Sequence, residues 1–321
     1  MTATVLTAHT LREAIARRTR HALRCGALRP IETTLTHIDD GGVRFAVREV
    51  SSLARKEAAR RADAPLPGAQ QTPRPNPFLP YDDDLCVGAL SPTHVALLNK
   101  YNVLDAHLLI VTRRFVPQEA LLDHADFAAL LVALRGFDAL GFYNGGPQAG
   151  ASQPHKHLQA VPLPLDAAGA AGRTAPIETL LDAAPAGAMR VPGLPFAHAF
   201  VRLDLAGSAM EARTDRQAHR DAQCAFDTYL ALLRAANIGT GEVDGVPHQR
   251  TPYNLLVTRR WMLVVPRETE RVEGISVNAL GFAGSLFVRD AAQRDTLARI
   301  GPMTALARVA KPDALKASTH A

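Results

Sequence analysis

The feature that most constrains this chain is the segment from Gly150 to Gln159, in which two histidines and a glutamine recur at every second position. Side chains alternate between the two faces of a β-strand, so His155, His157 and Gln159 are predicted to project from one face. Small residues precede the histidines and predict a turn that leads into the strand. A strand face with two imidazoles and one carboxamide is a candidate active site.

Three chemistries use two histidines on one face: metal binding, acid-base catalysis and nucleophilic catalysis. A catalytic zinc site asks for a third strong ligand, and because Gln159 is a poor one, that ligand would have to come from elsewhere. A nucleophilic histidine needs a group that orients its other ring nitrogen and donors for the anion under attack. Backbone N–H groups of the run from Tyr143 to Gln153, with the side chains of Asn144, Ser152 and Gln153, would supply such donors. From the residues alone, the three chemistries stay open.

The charge balance is consistent with an anionic ligand. Lysine and arginine exceed aspartate and glutamate by 36 − 31 = 5, which does not choose between nucleotide, nucleic acid and phosphate. We predict no nucleic-acid partner because no aromatic-basic module is found. The longest apolar run, Phe127 to Leu134, is too short to cross a bilayer, and the three cysteines are widely spaced. These features predict a cytoplasmic protein without a membrane partner.

Hydrophobic periodicity predicts an α+β fold, since helices and strands alternate in mixed order. Helices are predicted over residues 10–27, 120–140, 177–181 and 215–237. Strands are predicted over residues 31–38, 43–50, 94–98, 107–112, 254–257, 261–265 and 286–289, besides the histidine strand. Asp39 to Gly42 predicts a hairpin turn between the first two strands.

The composition also predicts how the chain is divided. Residues 1–165 form an N-terminal part that carries the His-x-His-x-Gln strand, and residues 190–321 form a C-terminal part that completes the same compact unit. Residues 166–189 are rich in alanine, glycine and proline and are predicted to be a linker or insertion.

The run from Tyr143 to Gln159 resembles the signature of diadenosine tetraphosphate (Ap4A) phosphorylases, also called ATP adenylyltransferases, of the histidine-triad superfamily. Other segments resemble the same family in the same order, so that the resemblance extends from about Ser51 to Arg289. These segments are Leu98 to Tyr101, His107 to Thr112, Tyr253 to Thr258, Trp261 to Arg267 and Asn278 to Gly284.

The resemblance implies a histidine-triad-like antiparallel sheet with flanking helices, elaborated by N- and C-terminal extensions. It further implies phosphorolysis of Ap4A to ATP and ADP, in which His157 is the nucleophile that carries AMP and His155 supports it. Gln159 stands where the hydrolase branch has a third histidine. A neutral amide binds phosphate oxygens but is too weak a base to activate water, which fits a transferase.

The resemblance also implies a set of substrate contacts along the chain. These are Lys56 for the polyphosphate, Asn99 and Lys100 for ribose and phosphate, Asn144 with Gly150, Ala151, Ser152 and Gln153 for a phosphate cradle, and Asn278, Ala279, Leu280, Ser285 and Arg289 from the C-terminal part. The last two depart from the family pattern of methionine and lysine. Arg289 keeps the charge with a different geometry, and Ser285 removes an apolar contact.

The implied ligands are Ap4A, inorganic phosphate, ATP and ADP. No covalently bound cofactor is implied, although a divalent cation, Mg²⁺ or Mn²⁺, would shield the phosphate charge. Two alternatives are a hexose-1-phosphate uridylyltransferase and a non-catalytic dinucleotide-binding sensor. Lys156 between the histidines and the run from Asn278 to Gly284 favour the adenylyl branch. The sequence does not fix the base preference or the oligomeric state.

Overall fold

The computed structural model describes residues 5–50, 76–166, 175–204 and 215–313. Within them the chain combines a large antiparallel sheet with helices on its faces, which confirms the predicted α+β class. Among these described residues, no helix has the length and apolar character needed to cross a membrane.

The elements are numbered in chain order. The helices are α1 (Ala8–Arg24), α2 (His124–Gly136), α3 (Glu178–Ala183), α4 (Asp215–Ala235), α5 (Ala279–Phe282), α6 (Ala291–Ile300) and α7 (Pro302–Val309). The strands are β1 (Thr34–Asp40), β2 (Val43–Glu49), β3 (Cys86–Ala89), β4 (His94–Leu98), β5 (Leu108–Thr112), β6 (Ala139–Gly145), β7 (His157–Pro162), β8 (Ala199–Arg202), β9 (Thr240–Val243), β10 (Val246–Gln249), β11 (Tyr253–Val257), β12 (Trp261–Pro266), β13 (Arg271–Val272), β14 (Ile275–Ser276) and β15 (Ser285–Val288).

Eight strands form the central sheet, in the order β3-β4-β5-β7-β6-β11-β12-β8, and every neighbouring pair is antiparallel. The histidine strand β7 lies between β5 and β6, where His157 pairs with Val111. Strands from both ends of the chain share this sheet, because β6 pairs with β11. The division at residues 165 and 190 stays a prediction.

Apolar side chains cover both faces of the central sheet, as alternation along a strand requires. On β12, Met262 and Val264 join a core with α1, α2 and α4, whereas Leu263 and Val265 join a second core. That second core includes residues of the three-stranded sheet β1-β2-β15. Position 141 on β6 is glycine because α2 packs closely against it: an added Cβ would lie 2.7 Å from the side chain of Leu130.

The predicted helix over residues 120–140 is wrong at both ends. The helix begins only at His124, because Asp123 caps it and exchanges side-chain hydrogen bonds with Asp126. It ends at Gly136, and the apolar run continues as strand β6, since a short apolar run fits a buried helix or a buried strand equally well. The C-terminal helices α6 and α7 were not predicted; the Asp290 side chain caps α6.

Candidate active site

The His157 imidazole is buried and its ring nitrogens have different partners. Nδ1 lies 2.8 Å from the carbonyl oxygen of His155 and donates its proton there. The other nitrogen, Nε2, therefore carries the lone pair. Burial lowers the pKa of His157 to about 4, against the opposing effect of the hydrogen bond to that carbonyl. At neutral pH the ring is uncharged, and the lone pair of Nε2 is free of a proton.

The His155 ring is held by three neighbours. Its Nε2 donates to the carbonyl oxygens of Thr112, at 2.9 Å, and Arg114, at 3.1 Å. Its Nδ1 accepts from the Asn76 amide at 3.0 Å, and the oxygen of that amide accepts from the backbone of Phe78. Burial lowers the pKa of His155, so this ring is also neutral. Both ring nitrogens are occupied, and neither is available to attack a substrate.

Phe78 packs against both imidazoles, with ring centroids 5.7 Å from His155 and 5.3 Å from His157. The ring of Phe115 lies 5.5 Å from that of His155, and Phe115 is itself 54% exposed. These aromatic rings limit rotation of the two histidines and give them apolar neighbours.

Gln159 follows on the same face, because the intervening Leu158 belongs to the opposite core, with α2. The Gln159 Oε1 lies 2.8 Å from the Nε2 of His107 on the neighbouring segment. His157, Gln159 and His107 therefore form one polar surface at the centre of the sheet.

Gln118 fixes the backbone of His157. The ladder between β6 and β7 ends at the pair Phe142 and Gln159, so beyond it the two strands separate. The buried Gln118 side chain bridges the opening: its Oε1 accepts from the His157 backbone N–H at 2.9 Å, and its amide donates to the Asn144 carbonyl at 2.9 Å. A side-chain amide thus replaces the ladder bonds that the separated strands cannot make.

Lys156 points to the opposite face, towards α2. Its Nζ lies 2.6 Å from one oxygen of Asp126, and His94 donates to the other oxygen at 2.9 Å. All three side chains are buried. Burial by itself raises the pKa of Asp126, but the His94 hydrogen bond and the Lys156 charge outweigh it and lower the pKa. Lys156 therefore belongs to the interior and not to the histidine face.

The loop before the histidines is compact and glycine-dependent. Gly150 has φ +90°, and a Cβ there would lie 2.9 Å from the Cβ of Asn278. The backbone N–H groups of Gly150 and Ala151 are bonded within the turn, to Pro147 and Gly146.

The next two residues of the loop supply the available donors. The N–H groups of Ser152 and Gln153 make no hydrogen bond to any of the described residues, and the Ser152 side chain is exposed. The backbone N–H groups of Ser152 and Gln153 are therefore the donors in this loop that remain available to an anion.

A buried arginine ties the cradle to the C-terminal part. Arg267 is fully buried and donates to the Asn254 side-chain oxygen at 2.5 Å and the Val277 carbonyl at 2.9 Å. Asn254 in turn donates to the Asn144 oxygen at 2.8 Å, and the Ala279 backbone donates to the same oxygen at 3.0 Å. Burial lowers the pKa of Arg267 to about 9. Both of these hydrogen bonds use the Asn144 side-chain oxygen, and the side-chain nitrogen takes no part in them.

The C-terminal predicted contacts lie in different places. Asn278 lies against Gly150 and caps α5 through the Leu280 backbone N–H. Ser285 is fully buried in the three-stranded sheet, where its hydroxyl accepts from Arg48 at 2.9 Å. Arg289 lies at the surface beside Asp290. The structure thus brings Asn278, Ala279 and Leu280 to the cradle and places Ser285 and Arg289 elsewhere.

Three predicted contacts remain from the N-terminal part. Asn99 bonds to His107, and Lys100 lies 3.7 Å from Asp82 at the surface. Lys56 lies outside the described residues.

Within the described residues, one group could geometrically hold a metal ion: His21, Cys25 and Asp84. It lies at the end of α1 and involves neither active-site histidine. Arg18 is among the residues whose charge acts on Asp84, which disfavours a cation there.

Sequence reasoning missed several residues that complete the site. They are Asn76, His107, Thr112, Gln118, Asn254 and Arg267. Two of these residues could have been found from the sequence, because Asn254 and His107 are polar residues in segments predicted to be buried strands. A buried polar group needs a specific hydrogen-bond partner, so such a residue indicates a network.

The fold and site define a class of protein: an antiparallel α+β domain that presents a neutral, oriented histidine beside a glycine-dependent anion loop. The chain matches the family model for the Ap4A phosphorylase N-terminal domain over residues 1–183 and that for the ATP adenylyltransferase C-terminal domain over residues 192–312. The chain therefore belongs to the Ap4A phosphorylase family.

Two proteins of Saccharomyces cerevisiae are similar in sequence. Diadenosine 5',5'''-P1,P4-tetraphosphate phosphorylase 2 is 29% identical over 227 residues, which is 63% of this chain and 64% of that protein. Protein APA1 is 27% identical over 285 residues, which is 81% of this chain and 80% of that protein. The first alignment thus spans just under two thirds of the relative's length.

Solved structures of yeast Ap4A phosphorylase Apa2 share the fold. One superposes with a TM-score of 0.73 at 22% identity and covers 96% of both chains. Another, in complex with Ap4A, has a TM-score of 0.70 at 20% identity and covers 96% of this chain and 99% of that one. At such identities the likeness establishes the fold.

Proposed function

We propose that this protein phosphorolyses Ap4A to ATP and ADP in two transfer steps through His157. The observation that carries the proposal is the orientation of His157, whose Nδ1–H is held by the His155 carbonyl so that Nε2 presents its lone pair. Family membership supplies the substrate class, and a yeast relative is named as a diadenosine tetraphosphate phosphorylase.

In the first step, Nε2 of His157 attacks the phosphorus of one AMP unit. The new N–P bond replaces the bond to the bridging oxygen, and ATP leaves with that oxygen. The proton on Nδ1 remains in its hydrogen bond to the His155 carbonyl, which stabilises the positive charge that develops on the ring.

In the second step, an oxygen of inorganic phosphate attacks the same phosphorus and breaks the N–P bond. ADP is released and His157 regains its lone pair. Dividing one difficult substitution into two steps is the gain from a covalent intermediate. The Gln159 amide supports transfer to phosphate, because it can bind phosphate oxygens but cannot act as a base towards water.

The Ser152 and Gln153 N–H groups are the proposed donors to the phosphate oxygens of the substrate. A divalent cation would arrive with the substrate phosphates. Among the described residues, the groups that hydrogen-bond to His155 and His157 are amides, carbonyls and a hydroxyl, not the carboxylates that Mg²⁺ prefers. A cytoplasmic location and the lack of a nucleic-acid partner stay predictions.

The test is to incubate the protein with Ap4A, with and without inorganic phosphate, and to resolve the nucleotides. We expect ATP and ADP in equal amounts, formed only when phosphate is present. ATP and AMP formed equally well without phosphate would show a hydrolase and overturn the proposal. Exchange between a hexose 1-phosphate and a UDP-sugar would instead identify a uridylyltransferase.

Intact-mass measurement after incubation with Ap4A alone tests the intermediate. We expect one added AMP on the wild-type chain and none on the His157→Ala variant. Tight binding of Ap4A without either adduct or products would indicate a binding sensor.

A further inference from the structure

A chain of hydrogen bonds with a fixed direction runs behind Gln159 and begins at a backbone amide. The N–H of Tyr101 lies 3.3 Å from the side-chain oxygen of Asn99. A backbone N–H can only donate, so this contact identifies which end of the Asn99 amide is the oxygen. The Asn99 nitrogen then points in the other direction, towards His107.

That nitrogen lies 3.2 Å from Nδ1 of His107. The amide donates, so Nδ1 must carry a lone pair, and the single ring proton is on Nε2. Burial lowers the pKa of His107 to about 4, partly opposed by the hydrogen bond to Gln159, so the ring keeps only one proton at neutral pH. A second proton, on Nδ1, would face the Asn99 amide hydrogens.

The Nε2–H of His107 then donates to the Gln159 oxygen, 2.8 Å away. With its oxygen held, Gln159 has its NH2 group left over, and within the described residues the hydrogen bond of this side chain is the one through its oxygen. The ring of Phe142, 5.9 Å from that of His107, limits rotation of the imidazole.

We propose that His107 is a positioning residue that holds the Gln159 carboxamide with its NH2 group towards the phosphoryl group under attack, through the relay Tyr101 to Asn99 to His107 to Gln159. The inference rests on the proposed function. An amide turned the other way would place its oxygen against negatively charged phosphoryl oxygens, which would repel the transition state instead of binding it.

The relay explains why a histidine is buried at this position. A hydroxyl partner could give or accept a hydrogen bond and would leave the direction of Gln159 open, whereas a side-chain amide keeps the direction if its oxygen takes the place of Nδ1 and accepts from Asn99. A neutral imidazole whose Nδ1 is already an acceptor can only donate from Nε2, so the direction set by one backbone N–H is carried across two residues.

The test is a double-mutant cycle on the phosphorolysis of Ap4A. His107→Leu removes the donor and is expected to lower kcat about tenfold, the effect of one lost hydrogen bond in the transition state, with KM for Ap4A changed less than about twofold. His107→Gln returns an N–H near the position of Nε2 and is expected to restore kcat to within about threefold of the wild type. In a Gln159→Ala background, His107→Leu should change kcat less than about twofold.

His198 offers a matched control. It is also buried, with Nδ1 bonded to the Phe196 carbonyl and Nε2 to the Val191 backbone. His198→Leu is expected to lower the Tm while leaving kcat unchanged. Effects of His107→Leu and Gln159→Ala that multiply, or a His107→Gln variant no better than His107→Leu, would overturn the proposal.

A second measurement does not depend on the reaction. Long-range ¹⁵N–¹H spectra of the wild-type protein at neutral pH, with the His107 signals assigned by their loss in His107→Gln, report which ring nitrogen bears the proton. We expect a proton on Nε2 and none on Nδ1, and a proton on Nδ1 would overturn the relay. If the wild type made no ATP from Ap4A and phosphate, the proposed function would fail and this spectrum would still decide the relay.

Discussion

The two faces of the histidine strand use buried polar groups in opposite ways. On the front face His155, His157 and Gln159 are neutral, and their hydrogen-bond partners are amides, carbonyls, a hydroxyl and another imidazole. On the back face Lys156 forms a buried ion pair with Asp126. Adjacent residues of one strand are thus placed in neutral and in charged surroundings.

The difference follows from what each face must bind. The proposed substrate brings its own charge to the front, and a nucleophilic imidazole must keep its lone pair, so burial without an anionic partner lowers the pKa of His157. The back face meets only protein, and there Lys156 and Asp126 neutralise each other. The front face therefore carries the proposed chemistry, and the ion pair on the back face holds the strand in place.

The largest expected effect tests the front face. His157→Ala removes the proposed nucleophile. We expect the rate of ATP formation from Ap4A to fall by at least about 10⁴-fold, because substrate binding and the anion-binding donors alone provide little of the rate acceleration of a covalent mechanism. The measurement is ATP formation in phosphate buffer, with the far-ultraviolet circular dichroism spectrum as a control for folding. Retention of more than a hundredth of the wild-type rate would show that another group attacks.

The next effect tests the back face. Lys156→Met leaves the Asp126 carboxylate buried without its cation, and we expect the free energy of unfolding to fall by about 3–5 kcal/mol. The measurement is urea denaturation.

A double variant separates lost charge pairing from lost packing. Asp126→Asn in the Lys156→Met background removes the unpaired charge, and its side-chain oxygen can still accept from the Asp123 backbone at the start of α2. We expect the double variant to be more stable than Lys156→Met alone. Equal or greater destabilisation would mean that lost packing, and not the unpaired Asp126 charge, accounts for the effect of Lys156→Met.

The front face has its own dependence on pH. The pKa of His107 is about 4 in the folded protein and about 6.5 in the unfolded chain, so the unfolded chain binds the proton first as the pH falls. The stability from keeping His107 neutral is fully present above about pH 6.5 and is lost as the pH falls towards 4, by about 3 kcal/mol. Urea denaturation at several pH values should show a smaller loss for His107→Gln than for the wild type. Parallel losses in the two proteins would contradict a buried neutral histidine.

The sequence predicted the face but not what holds it. Alternation at His155, His157 and Gln159 is a local property of a strand and can be read from spacing. Their partners are not local: Gln118, Asn76 and His107 lie 39, 79 and 52 positions from the residues that they bond. Such pairings depend on strand order and register, which no single segment of the sequence specifies.

The same limit explains the error at the predicted helix over residues 120–140. An apolar run has the same composition whether it is buried in a helix or in a central strand. The break between α2 and β6 comes from the extended backbone at Phe137 and from pairing of β6 with β7 and β11, which bring together distant residues. The local signal, the cap at Asp123, marked only the beginning of the helix.

The smallest expected effect separates backbone from side-chain support on the front face. The Thr112 hydroxyl contacts Nε2 of His155 at 2.9 Å and donates to the Arg114 carbonyl at 2.9 Å, but Nε2 also donates to the carbonyl oxygens of Thr112 and Arg114. Thr112→Val removes only the hydroxyl, so we expect the free energy of unfolding to fall by about 1 kcal/mol and kcat to change less than about threefold. Urea denaturation and phosphorolysis rates measure the two. A tenfold loss of kcat would instead assign the orientation of His155 to the hydroxyl, and the front face would then depend on a side chain where the structure shows two backbone carbonyls.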